Sequence, residues 1–221
     1  MEAKAVPEPT LRRLPSYYIH IKGLIGKNGD SIACTDLAKA LGLDASQIRK
    51  DLEIIGIAGK PRVGHNLHNL IQSLEKFLGC YEPKPALLAG AGPLGRALLN
   101  FEEGRQLGMR ILGVFDADEH RIGREAEGME IMPLGFLPDL ARTLKARIGI
   151  VTLAARYAQH AADLMVKGGI RAIWNLSPVT LGVPAGVIVE NQNLFFSLAT
   201  LSARVAGVCA DGSLRSERKP T

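Results

Sequence analysis

The segment Ala86-Leu87-Leu88-Ala89-Gly90-Ala91-Gly92-Pro93-Leu94-Gly95-Arg96-Ala97-Leu98-Leu99 constrains this chain more than any other. An apolar strand runs into a Gly-x-Gly-x-x-Gly turn and then into a helix. A second apolar run, Ile111-Leu112-Gly113-Val114-Phe115, ends at Asp116. Strand, glycine turn, helix, strand and acidic terminus, in that order, are what a dinucleotide-binding unit needs. Gly90 permits a tight turn, Gly92 lets the backbone approach a pyrophosphate, and Gly95 lets the helix pack closely on the sheet. The stretch Gly90, Ala91, Gly92, Pro93, Leu94, Gly95 then offers helix-terminal N–H groups to phosphate. Asp116, with Ala117 beside it, is placed to accept hydrogen bonds from ribose hydroxyls. A carboxylate there repels a 2′-phosphate and favours NAD(H) over NADP(H), an exclusion that Arg121 and Arg124 weaken a little.

About eighty residues of different character precede this unit. In residues 11–78, Leu14, Tyr17, Tyr18, Ile21, Leu24 and Ile25 recur at helical spacing. A second helix is expected over residues 31–41, ended by Gly42, and a third from Asp44. A Gly-containing turn between two helices is the helix-turn-helix pattern. The Gly-rich, basic stretch 54–66 reads as a β-wing, and a helix over 67–78 closes the unit. After the Pro-containing boundary 79–85, strands are expected near 86–90, 110–115, 129–132, 148–152, 171–175 and 186–190, with helices between, one of them over 156–168. That alternation is a parallel doubly wound sheet. The fold class is therefore α/β: a lead-in without order (1–10), a winged helix-turn-helix domain (11–80), a dinucleotide-binding domain (85–192), a terminal helix (193–209) and a flexible tail (210–221). The terminal helix is apolar on nearly every side, which demands burial all round and suggests a partner subunit.

The second helix of a helix-turn-helix enters the major groove with its N-terminal end, here Ser46, Gln47, Arg49 and Lys50. Arg and Lys suit guanine O6/N7, Gln suits adenine, and Ser suits phosphate. Ile48 and Leu52, four apart, form the buried side. Lys60 and Arg62 on the wing, and Arg12 and Arg13 on the first helix, are placed to hold backbone or an adjacent minor groove. Net charge is only +5, and residues 1–80 carry eleven Lys/Arg against eight Asp/Glu, so the argument rests on where the charges fall.

Composition excludes several other classes. With 47% hydrophobic and 22% charged residues the chain reads as a folded soluble protein, with no apolar run of membrane-spanning length and no signal peptide. Cys34, Cys80 and Cys209 make neither a disulfide framework nor a metal-ligand pattern, which fits a reducing cytoplasm and no metal. An NAD-dependent enzyme would need a positioned acid or base beside the cofactor. His120 lies on the adenosine side, His160 on a helix, and His20, His65 and His68 in the first domain, so the chain does not read as an enzyme. Trp174 and the methionines read as packing.

Taken together, Arg13-Leu14-Pro15-Ser16-Tyr17-Tyr18, Gln47-Ile48-Arg49-Lys50-Asp51-Leu52, the turn Gly90-Ala91-Gly92-Pro93-Leu94-Gly95, Phe115-Asp116-Ala117-Asp118 and Asn175-Leu176-Ser177-Pro178-Val179 resemble the Rex family. These are bacterial redox-sensing transcriptional repressors built from a winged helix and a Rossmann domain. The resemblance implies a homodimer on double-stranded inverted-repeat operator DNA, with the terminal helix swapped between subunits. It implies release by NADH rather than by NAD⁺, and adds Thr152, Leu153 and Asn175 to the cofactor site. Three positions depart from the family. Ile19 replaces an Arg, Phe101 a Tyr and Asn193 an Asp, which removes a polar network that rearranges between states. A replaced switch leaves an alternative: a constitutive DNA-binding dimer, or one answering to another ligand.

Overall fold

Leu14, Tyr17, Tyr18 and Ile21 fall on one stripe, and in the computed structural model that stripe is the buried face of the first helix, α1 (Glu8–Lys22). The structure describes residues 6–27, 29–59 and 64–205. They separate into two units. One runs to Pro83 and takes in Glu103–Gly108; the other holds Lys84–Glu102 and the chain from Met109 onward.

In the first unit α1 is followed by β1 (Ser31–Ile32), α2 (Cys34–Leu41), α3 (Ala45–Ile54), β2 (His65–Asn66) and α4 (Leu67–Leu78). Gly42 and Gly79 end α2 and α4 in the left-handed conformation, where a side chain would strain the backbone. Asp44 caps α3, accepting from the amides of Ser46 and Gln47. Two expectations are corrected. Residues 6–10 are ordered: α1 starts at Glu8, because Thr10 is buried and donates to Asp51. Residues 1–5 of the expected lead-in lie outside the described residues. Ser31 and Ile32 are not the first turn of α2. They pair antiparallel with Asn66 and His65, which buries Ile32 and forms the base of the wing. His65 is buried there, its Nε2 3.6 Å from Cys34 Sγ, and burial lowers its pKa.

The second unit comprises β3 (Lys84–Ala89), α5 (Pro93–Leu99), α6 (Glu102–Gln106, which ends within the first unit), β4 (Met109–Asp116), β5 (Glu125–Ala126), β6 (Met129–Pro133), α7 (Leu137–Thr143), β7 (Ile148–Val151), α8 (Ala155–Lys167), β8 (Ala172–Asn175), β9 (Ile188–Asn191) and α9 (Leu194–Val205). The sheet order is β5-β6-β4-β3-β7-β8-β9, parallel throughout except for the short hairpin strand β5. Numbering only the parallel strands, that order is 3-2-1-4-5-6, the Rossmann arrangement, whose switch point lies between β3 and β7. Leu87, Ala89 and Val151 face α7 and α8 on one side, whereas Ala86, Leu88 and Ile150 face α5 on the other. Trp174 stands beside Phe101 at 6.3 Å between ring centroids. No residue of α9 is buried, and its large apolar side chains all stand exposed. No helix among the described residues is long and apolar enough to cross a membrane.

Candidate functional site

The glycine turn leaves the C-terminal end of β3 beside the switch point. Gly90 sits at φ 116°, its amide donating to Phe115 O at 2.7 Å, and a Cβ there would lie 2.4 Å from Thr152 Oγ1. Gly95 is tighter still: a Cβ would fall 1.9 Å from the Gly90 carbonyl oxygen. Both neighbours are fixed, so these glycines set how closely α5 rides on the strand ends. Gly92 is the N-cap of α5, and its vacant side faces the Arg121 guanidinium. Pro93, which has no N–H, and Leu94 open the first turn, and the Leu94 N–H has no intrahelical acceptor. Gly95→Ala is expected to force the turn open and cost about 2–3 kcal/mol, read from urea unfolding of the dinucleotide-binding unit. An unchanged midpoint would show that the contact relaxes cheaply.

The residue expected to accept from the ribose is Asp116. It ends β4 as expected but is buried, and its carboxylate is already filled. Oδ2 accepts from Ala91 N at 2.7 Å and Arg121 Nη1 at 3.3 Å, and Oδ1 from Ala117 N at 2.7 Å and Asp118 N at 3.0 Å. A carboxylate offers about four acceptor positions, and four donors of the chain already reach this one, so Asp116 braces the glycine turn. The carboxylate with room to spare is Asp118, two residues on and 41% exposed, held by Arg121 Nε at 3.3 Å and accepting from His120 N at 3.0 Å. The Asp-x-Asp spacing was the signal for this second carboxylate.

The remaining cofactor-site residues divide. Thr152 Oγ1 donates to Gly90 O at 2.9 Å, so it holds the turn. Leu153 buries its side chain in the core on the α7–α8 face, so its backbone is what it offers at the strand end. Asn175 ends β8 with both ends of its amide engaged within the chain. Nδ2 donates to Val179 O and Asn191 Oδ1, and Oδ1 accepts from Ser177 N and Oγ. It shapes the loop after β8 and has no free donor.

In the first unit, α3 carries Ile48 and Leu52 on its buried side as expected, with Arg49 and Lys50 exposed. Two residues expected to contact DNA are also bound within the unit. Arg13 and Gln47 both bind Asp51, which is fully buried. Arg13 grips it with two hydrogen bonds, Nε to Oδ2 at 2.7 Å and Nη2 to Oδ1 at 2.8 Å. Gln47 Nε2 adds one at 3.0 Å, Tyr17 OH one at 2.7 Å and Thr10 Oγ1 one at 2.9 Å. Burial pushes the Asp51 carboxyl up, but the four donors outweigh it and hold its pKa at about 2. The same contact raises Arg13. Ser46 donates its hydroxyl to Asp44, and Arg12 pairs with Glu8 on the exposed side of α1. Lys60 and Arg62 lie outside the described residues.

The three positions that depart from the family have local roles here. Ile19 is exposed on α1, Phe101 packs beside Trp174, and Asn193 Oδ1 accepts from the amides of Phe195 and Phe196 as the cap of α9.

Residues 5–53 match the family model described as "Putative DNA-binding protein N-terminus", and residues 82–179 match the "CoA binding domain" model. The chain is 37% identical over 205 residues to the redox-sensing transcriptional repressor Rex of Bacteroides thetaiotaomicron, covering 93% of each chain. It is 39% identical over 202 residues to the Rex of Treponema denticola, covering 91% of this chain and 96% of that one. Among solved structures it resembles RSP in complex with β-NAD⁺ and operator DNA, with a TM-score of 0.86 and 34% identity over 93% of this chain and 94% of that one. RSP in complex with β-NADH gives a TM-score of 0.81 at the same identity, over 93% and 96%. With such identity sustained along nearly its whole length and both parts of its architecture matched, the chain belongs to the Rex family of redox-sensing transcriptional repressors.

Proposed function

We propose that this chain is a redox-sensing repressor that binds an inverted-repeat operator as a homodimer and is released by NADH but not by NAD⁺. The observation that supports it most is its likeness, along the whole winged-helix and Rossmann architecture, to a family member solved with NAD⁺ and operator DNA. In this reading Arg49 and Lys50 on α3 reach base edges, and Ser46 and Arg12 approach phosphates. Arg13 and Gln47 act one step back, fixing α3 against α1 through Asp51. The chain works as a regulator in the reducing cytoplasm and catalyses no turnover of the nucleotide.

The turn Gly90–Gly95 fits a dinucleotide pyrophosphate, since its close backbone approach leaves no room for side chains. NAD(H) brings the redox state of its nicotinamide as the signal. Arg121, over Gly92, faces the phosphates, and Asp118 takes the ribose hydroxyls that Asp116 has no free acceptor for. Each state of a two-state dimer responds to a ligand only as far as that ligand prefers one of them, so NADH and NAD⁺ must differ in affinity for the DNA-bound form.

Fluorescence anisotropy on a labelled inverted repeat, titrated in parallel with NADH and NAD⁺, tests the whole reading. Release by NADH alone is the expected result. Tight binding indifferent to both nucleotides would instead favour the constitutive or other-ligand dimer. Asp118→Asn is expected to weaken NADH binding about tenfold and to shift preference toward NADPH, because a charged acceptor for two hydroxyls becomes a neutral amide. Calorimetric titration of the variant with both nucleotides checks this, and an unchanged ratio would return the role to Asp116.

A further inference from the structure

The parallel strands of the second unit begin, at the sheet end opposite the glycine turn, in a row of arginines. Arg110 of β4 pairs in register with Pro85 of β3. Arg147, just before β7, donates its amide to Pro85 O at 3.3 Å. Arg171, just before β8, donates its amide to Arg147 O at 3.1 Å. Arg110, Pro85, Arg147 and Arg171 therefore stand at one level across four adjacent strands. At an interstrand spacing near 4.8 Å the row spans roughly 14 Å. Two more cations crowd the same end: Lys145 in the turn after α7, and Lys167 at the end of α8. Arg142, in the last turn of α7, donates to Lys167 O at 3.2 Å and so joins the two helix ends.

All three row arginines are exposed. Among the described residues, no ion pair includes Arg110, Lys145, Arg147, Lys167 or Arg171, and the nearby carboxylate of Asp139 is paired with Arg142. The arrangement works against stability. Like charges on neighbouring strands repel. Lys145 adopts φ 52°, the left-handed region in which glycine would be cheaper by about 1 kcal/mol. Helix dipoles ease such charges by no more than about 1 kcal/mol each, and only within the last turn.

We infer that this row is a second nucleic-acid contact, which takes the phosphate backbone of duplex DNA outside the operator. The inference rests on the DNA-binding reading above. Its chemistry argues for phosphate rather than protein: Arg110, Arg147 and Arg171 present guanidinium forks that match phosphate oxygens, and the exposed apolar side chain beside them, Ile188, whose amide donates to Arg171 O, is aliphatic rather than one of the aromatic anchors that protein interfaces favour. A rigid row of roughly 14 Å matches the axial rise of about four phosphates along one strand of DNA. Lys84 opens β3 at this same end.

The experiment uses full-length protein and two duplexes, the inverted repeat alone and the repeat with flanks of about one helical turn, ~10 base pairs, on each side. Operator affinity is measured by anisotropy against salt concentration for the wild type and for the triple variant Arg110→Gln, Arg147→Gln, Arg171→Gln. The wild type should show a steeper salt dependence on the long duplex than on the short one. In the triple variant the slope on the long duplex should fall by about 2–3, near 0.9 per lost phosphate contact, while binding to the short duplex stays within about twofold. Retained NADH affinity and an unchanged thermal midpoint establish that the variant is folded. Should it fail to fold, the single change Arg171→Glu must still lower affinity for the long duplex selectively. Equal slopes on both duplexes for both proteins overturn the inference and leave an acidic protein surface as the partner. A wild type with no preference for the inverted repeat overturns the DNA-binding reading itself, and the inference with it.

Discussion

Asp51→Ala is expected to destabilise the winged-helix unit by about 3–5 kcal/mol, enough to melt it while the dinucleotide-binding unit stays folded. The substitution removes one fully buried carboxylate and strands five donated hydrogen bonds at once. Its most expensive residue is Arg13, whose guanidinium, three-quarters buried, would lose its counter-charge. Urea unfolding should split into two transitions, with the earlier one followed by the loss of operator binding and NADH binding kept to the later one. A single transition at the wild-type midpoint would mean that Asp51 is dispensable. Acid should mimic the mutation. The folded pKa of about 2 lies below the ordinary carboxylate value, so the stabilisation is complete above about pH 4 and disappears as the pH falls from there toward 2. Integrated over that window the contribution is about 2 kcal/mol. Circular dichroism during acid titration of the wild type and Asp51→Asn should show the first unit of the variant weakened at neutral pH and far less sensitive to acid.

Charging α9 is expected to be as drastic by another route. Leu194, Phe195, Phe196, Leu198, Leu201 and Val205 are each more than half exposed within one chain. A solvated helix of this composition is unstable alone, and a fully buried Phe or Leu gains roughly 1.5–3 kcal/mol. The occupant proposed for this surface is a second copy of the chain. Phe196→Asp combined with Leu198→Asp and Leu201→Asp should convert the dimer to a monomer in sedimentation velocity. Operator affinity should fall by about 10²–10⁴, because two tethered half-site contacts become one. The glycine turn is far from the change in sequence, so NADH binding tests whether the monomer remains folded. A variant that still sediments as a dimer would place the interface elsewhere.

The parts of this molecule legible in its sequence are those with local signatures. Hydrophobic runs locate all six parallel strands to within about two residues. The helix expected at 67–78 is found as α4, because Asn66 caps its start and Gly79 its end. Elements too short to carry a pattern escaped: the two-residue strands β1 and β5 exist only through their pairing partners. Side-chain roles were harder. Arg13 and Gln47 look like free polar groups in sequence, and the carboxylate that claims Arg13 lies 38 residues away. Asp116 was found by position but its internal partners were not, since the amides that reach it become donors only once the turn has closed on it.

Asp51 ties α3 to α1 through four hydrogen bonds, and a fifth from Gln47 holds it within α3, so the two helices of each reading head are fastened to each other. In the proposed reading, the angle of α3 against α1 is set inside the winged-helix unit and does not adjust to the DNA. A pair of such heads works as a calliper. One base pair inserted between half-sites adds about 3.4 Å and turns the far half-site by about 35°, an offset that falls on the dimer or on the DNA, because the heads themselves do not bend. In such a molecule the distance between half-sites is read as stringently as their base edges.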